Sequence, residues 1–105
     1  MHNKFRILKA TNFLSGIGCY DTRLILIEWL NDDETIHEYS CSYQTRPNDA
    51  IFWSHNTSSL KEAELTMRNI LKRDINIWKN TKVHKLNNNT IYTFDENHKI
   101  IPASE

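Results

Sequence analysis

The sequence predicts an α+β fold: a small, mostly antiparallel sheet of about four to five strands packed against one long amphipathic helix. Three observations carry this. Residues 59–79 repeat apolar side chains at helical spacing, residues 23–45 hold two strand-like runs about an acidic turn, and Asn and Asp supply the turns in a chain with only two Gly. Asn and Asp reach positive φ most easily among non-Gly residues.

The first strand is expected within Lys4 to Leu14, where Phe5 and Ile7 alternate against Arg6. It runs into a turn at Ser15-Gly16-Ile17-Gly18. That Gly-x-Gly lacks the third Gly, the Lys and the following helix of a phosphate-binding loop. Arg23 to Leu30, nearly continuous in apolar residues, reads as a central strand buried on parts of both faces. Asn31 to Glu34 makes a turn and Thr35 to Thr45 is the partner strand.

A tight hairpin loop sets Glu28 opposite His37, Leu26 opposite Tyr39 and Leu24 opposite Cys41. Leu24, Leu26, Tyr39 and Cys41 then face the helix, while Ile25, Ile27 and Trp29 face away beside Ile36, Glu38, Ser40 and Ser42. The N-terminal segment or the 46–57 region is expected to cover part of that second face, because small proteins seldom leave such area bare. Arg46 to Ser58 reads as a loop carrying Phe52 and Trp53, either as a staple over the first helical turn or as exposed aromatic anchors.

The helix is predicted over Ser59 to Lys79. Ser59 and Glu62 have the S-x-x-E spacing of a capping box. At about 100° per residue, Leu60, Ala63, Met67, Ile70, Leu71, Ile75, Ile77 and Trp78 share one broad arc. Asn80 and Thr81 are the exit. Beyond it, Val83 to Leu86 and Thr90 to Phe94 read as a hairpin about Asn87 to Asn89, and Lys99 to Ile101 as a last strand after the Asp95 to His98 turn. Residues 1–105 form one domain, with 102–105 a loose tail.

Chemistry is sparse. Cys19 and Cys41 lack zinc-knuckle or redox-pair spacing, and two Cys make no secreted disulfide framework, which points to a cytoplasmic setting. Charges interrupt any signal-peptide core at the N-terminus, and no apolar run approaches the roughly 20 residues that span a bilayer. His2, His37, His55, His84 and His98 are scattered without metal-ligand spacing, and Asp32-Asp33-Glu34 lacks the Gly and distal Glu of a calcium loop. No metal, cofactor or catalytic constellation is expected. His37 opposite Glu28 reads as a cross-strand charge pair rather than a general base.

Charge is more informative. The formal net charge is +0, so no global field steers the chain toward a polyanion or an anionic membrane. Between Leu24 and Thr45, however, stand Glu28, Asp32, Asp33, Glu34 and Glu38 without a Lys or Arg. From Lys61 to Lys85, seven bases outnumber three acids, and Lys61, Arg68, Lys72 and Lys79 fall in a stripe of about 40° on the helical wheel. Glu64 and Arg68 are spaced as an i, i+4 pair.

These patterns imply two functions. The first is a small protein-binding inhibitor that occupies a basic partner protein through Trp29, Asp32, Asp33, Glu34, Ile36, Glu38, Phe52 and Trp53. That is the profile of an immunity protein for a basic toxin nuclease, or of a phage inhibitor of a host defence complex. The second is a nucleic-acid-binding accessory domain using Lys61, Arg68, Lys72, Lys79, Lys82 and Lys85.

Overall fold

In the computed structural model, which describes residues 4–16, 19–47, 49–86 and 90–103, the run Leu24-Ile25-Leu26-Ile27 is wholly buried. It forms the middle of β2 (Thr22–Leu30). A strand buried on both faces needs neighbours on either side and a layer above and below. The neighbours are β1 (Lys4–Ala10) and β3 (Ile36–Thr45), both antiparallel to it. β4 (Ile51–Thr57) adds to β3, and β6 (Tyr92–Phe94) and β7 (Ile100–Pro102) continue beyond β1. The order is β4-β3-β2-β1-β6-β7, with the two-residue β5 (His84–Lys85) also paired to β1.

Among the described residues the sheet therefore has seven strands, more than the four to five expected. One addition is β4, which falls where a loop was predicted. A bulge at Trp53, φ 48°, shifts the register between Ser42 and Tyr43 and hides the period-2 pattern of this strand. The segments 83–86 and 90–94 do not pair with each other as a hairpin; each pairs with a different part of β1, β5 at Lys9 and Ala10 and β6 at Phe5. The predicted turn at Asn87 to Asn89, like part of the Ser15 to Gly18 turn and the end of the tail, lies outside the described residues. Pro102, expected in the tail, closes β7 opposite Tyr92.

The β2–β3 hairpin forms with a register two residues from the expected one. Glu28 faces Tyr39, Leu26 faces Cys41 and Leu24 faces Tyr43. The cause is a longer connection, closed by Asn31 N–H donating to Thr35 and by Glu34 at φ 68°, plus an irregularity at Trp29 and Leu30. A slip of two preserves the faces, so Leu24, Leu26 and Cys41 do meet the helix, flanked by Tyr39 and Tyr43.

The main helix is shorter than predicted. Ser59 caps α1 (Leu60–Arg73), its hydroxyl accepting the Glu62 N–H at 3.4 Å, while the Glu62 carboxylate reaches back to the Thr57 hydroxyl. At Asp74 (φ −107°, ψ 43°) the chain leaves helical geometry, and the four-residue α2 (Ile75–Trp78) follows. Asp side chains compete for local hydrogen bonds and favour such breaks; here the carboxylate takes the Arg73 guanidinium at 3.1 Å. The break turns Trp78 onto Tyr43, ring centroids 6.4 Å apart, and turns Ile75 and Ile77 outward to 54% and 43% exposure. Both belong to the arc that helical spacing predicts as core.

Ala63, Met67, Ile70 and Trp78 pack on Leu24, Leu26 and Cys41 as one core. The second core, on the other face, holds Phe5, Ile7, Ala10, Ile25 and Ile27. Its cover comes from both ends of a curled sheet: Ile51 from β4, and Tyr92, Phe94 and Ile100 from the C-terminal strands. The C-terminal part of this cover was not anticipated. Each fully buried side chain such as Phe5 or Ile27 contributes roughly 1.5–3 kcal/mol.

Candidate functional site

The acidic hairpin is largely matched from within. β1 lies beside β2, so Arg6 faces Glu28 and bonds it at 2.9 Å, and Lys4 lies 3.6 Å from Glu34. Glu28 is thus paired with Arg6 instead of the expected His37, which lies 3.9 Å from Glu38. Glu38 also accepts from Asn56 at 2.9 Å. The Asp33 carboxylate accepts the Thr35 hydroxyl and N–H, and the side-chain bond in particular lowers its pKa. Asp32 has no partner among the described residues, and Ile36 is 51% exposed at the tip.

The predicted anchors do not converge on that tip. Trp29 packs against Phe5, centroids 5.2 Å apart, and its indole N–H donates to Ser40 at 2.9 Å, heading a chain that runs through the buried Ser40 and Ser42 to the exposed Ser54. It serves the second core. Phe52 and Trp53 stand against Tyr43 at 5.4 and 5.5 Å and remain 46% and 49% exposed. Tyr43 is seven residues along β3 from Ile36, about 23 Å at a rise of about 3.3 Å per residue. Neither ring staples the first turn of α1: β4 leads into the Ser59 cap at Thr57, and Phe52 and Trp53 stand toward its other end, on the Tyr43 ring that Trp78 also meets.

The basic residues come together better. Lys61, Arg68, Lys72, Lys79, Lys82 and Lys85 are all exposed, and none makes an ion pair among the described residues. Glu64, expected to pair with Arg68, is taken by Lys9 of β1, which leaves the guanidinium unpaired. Arg68 then shares a cleft with Lys9, Met67 and Val83, and Lys61 another with Arg68 and Leu65. A third, bounded by Leu60 and Glu64 of α1 and by Lys85 and Leu86, carries the groove along the β5 side of the helix. Of the six bases, Lys61, Arg68 and Lys85 border these clefts, together with Lys9 and the acids Glu28 and Glu64, while Lys72, Lys79 and Lys82 line none of them. Lys79 has left the helical stripe, since the break at Asp74 places it at the end of α2.

A further cleft opens at the far end of β1, lined by Asn12, Phe13, Arg23, Arg46, His84 and Leu86 among others. None of Phe13, Arg23 and Arg46 stood out in the sequence, for they lie in three separate segments. Among the described residues no three His, Cys, Asp or Glu side chains gather in a metal-binding arrangement. His37 and His55 are exposed and line none of these clefts. No described helix is long and apolar enough to cross a membrane. No protein-family model matches the chain, and neither a curated protein nor a solved structure shows significant similarity to it.

Proposed function

We propose that the protein is a nucleic-acid-binding accessory domain that seats a phosphate backbone in the groove between α1 and the 82–85 segment. The observation that carries this reading is the ion-pair pattern. Of the hairpin acids, Glu28 and Glu34 are paired with Arg6 and Lys4, whereas Lys61, Arg68, Lys72, Lys79, Lys82 and Lys85 have no carboxylate partner among the described residues. Unpaired, exposed cations on α1 and the 82–85 segment supply the counterion release that drives backbone binding without sequence preference. Fluorescently labelled single strands should bind with log K falling against log salt at a slope of about −3 to −4, near 0.7 for each of about five phosphates. Lys72→Glu should reduce affinity and flatten that slope by about 1–2 units. Undetectable binding of DNA and RNA at low salt would end this reading.

Occupation of a basic protein partner is a second reading, favoured by exposed apolar groups: Ile36 beside Asp32 at the tip, and Phe52 with Trp53 on the edge strand. Large rings held rigidly in water are the usual anchors of protein interfaces. The ends lie about 23 Å apart by strand rise, within a standard patch of about 800 Å² per partner only if that patch follows β3. Replacing Asp32, Asp33 and Glu34 by Ser, or Phe52 and Trp53 by Ala, should remove a native-host protein that co-purifies with the unaltered chain. Retention of every such protein by both variants would count against it.

A further inference from the structure

Phe13 is held between two segments by its neighbours' backbones. Thr11 exchanges hydrogen bonds with Leu24, its N–H donating to the carbonyl and its hydroxyl accepting the N–H, each at 3.0 Å. Leu14 makes a bridge to Thr22. The Arg46 N–H donates to the Asp21 carbonyl at 2.9 Å, which brings the end of β3 to the same corner. As a result two guanidinium groups lie over one aromatic ring: Arg23 at 4.6 Å and Arg46 at 3.9 Å from the Phe13 centroid. Cations attract the ring face but repel each other.

The donors there are under-used. Arg23 gives its Nε–H to the buried Gln44 at 2.8 Å, and its two terminal nitrogens have no bond among the described residues. Arg46 has no side-chain hydrogen bond or ion pair among them. His84 Nε2 lies 3.0 Å from the Asn12 amide oxygen, which turns the imidazole edge into the same cleft. Burial lowers the Arg23 pKa first; Asp49 opposes that, and Arg46 adds to it. Asp49 is close enough for its charge to act on Arg23 but is not within ion-pair distance of either arginine. The cleft, about 360 Å³, lies within the usual range for small-molecule sites, roughly 300–1,000 Å³.

We infer that this cleft binds a phosphomonoester, its dianion bridging the terminal nitrogens of Arg23 and Arg46. Planar guanidinium forks match phosphate oxygens two at a time, and a doubly charged oxyanion relieves the repulsion between the two arginines. Contact with Phe13 holds both guanidinium groups at the cleft beforehand, so less ordering remains to oppose binding. The site adjoins the α1 groove at Leu86, but Arg23 and Arg46 line none of the clefts along α1.

Titration of the intact protein with inorganic phosphate, followed by NMR of the arginine side chains and His84, tests the assignment. Saturable shifts are expected at Arg23, Arg46 and His84, and none with chloride at equal ionic strength. Arg46→Ala, at an exposed position, should weaken binding about tenfold or more, the usual loss for a charge-assisted bond. Asp49→Asn should tighten it, and Lys72→Glu should leave it within about twofold. Adenosine 5′-monophosphate and a 5′-phosphorylated against a 5′-hydroxyl oligonucleotide separate a free phosphorylated metabolite from a strand end as the source. Shifts that do not saturate by about 10 mM phosphate, or an unchanged affinity in Arg46→Ala, would overturn the site whatever the α1 groove binds.

Discussion

Cys41 is wholly buried between Leu26 of β2 and His55 of β4, where burial pushes its thiol from the ordinary 9.0 up to about 12. Cys19 is exposed. A thiol reacts as its thiolate, so an aromatic disulfide reagent at neutral pH should label Cys19 rapidly and Cys41 only after denaturation; rapid labelling of both in the folded protein would contradict this burial. The same shift sets an alkaline limit. With the folded pKa above the unfolded one, the folded state holds the proton longer, so stability is full below about pH 9 and falls as pH rises toward 12. Its slope is about 1.4 kcal/mol per pH unit. Tyr39 and Tyr43, also raised chiefly by burial, add to the loss with the same sign. Denaturant midpoints between pH 8 and 11 should therefore fall less steeply in Cys41→Ala than in the unaltered chain, although that variant starts lower by about 1 kcal/mol for the lost packing.

The helix start shows what a short sequence pattern can establish. Ser59→Ala removes the hydroxyl that accepts the Glu62 N–H and should lower stability by about 1 kcal/mol, seen as an earlier urea midpoint at constant slope; no change would mean that Thr57, which bonds both Ser59 N–H and Glu62, already anchors the turn. That cap was legible because capping is local, and so was the alternation that put Leu24, Leu26 and Cys41 under the helix. The helix end was not, since no Gly or Pro marks Asp74 and the break depends on Trp78 meeting Tyr43 from a distant strand. β4 is hidden because its bulge at Trp53 interrupts the two-residue period; β5 and β6 are legible as strands, but not their pairing, because their shared partner, β1, lies some 80 residues earlier. The candidate residues divide likewise. Runs of acid and base were plain in the chain, but which charges cancel depends on Lys4, Arg6 and Lys9, all on the neighbouring strand. The Phe13 cleft joins three segments through backbone bonds that no local pattern encodes.

At the scale of the molecule, 40 × 30 × 23 Å, a formal net charge of +0 conceals an acidic tip at Asp32 to Glu34 and unpaired cations on α1 and the 82–85 segment, where Glu28 and Glu64 share a cleft with Lys85 but are each held by a cation of β1. Lys4 sits by the acidic tip and Lys9 opposite Lys85, five residues apart on β1, about 16 Å at strand rise. At physiological salt the Debye length is about 8 Å, so the tip acts on a strand lying beside Lys85 through about two screening lengths. The neutral total is then no obstacle to holding a polyanion, because each end is felt mainly by what touches it. Asp32→Lys, which changes an exposed side chain without a partner among the described residues, should alter oligonucleotide affinity by less than about twofold at 0.15 M salt. Near 0.01 M, where the screening length grows to about 30 Å, the same substitution should strengthen binding by several-fold. Lys85→Glu, inside the groove, should weaken binding at both salts. Equal gains from Asp32→Lys at low and physiological salt would mean that the bound strand runs past the hairpin itself, and the groove along α1 would then be too short a description of the interface.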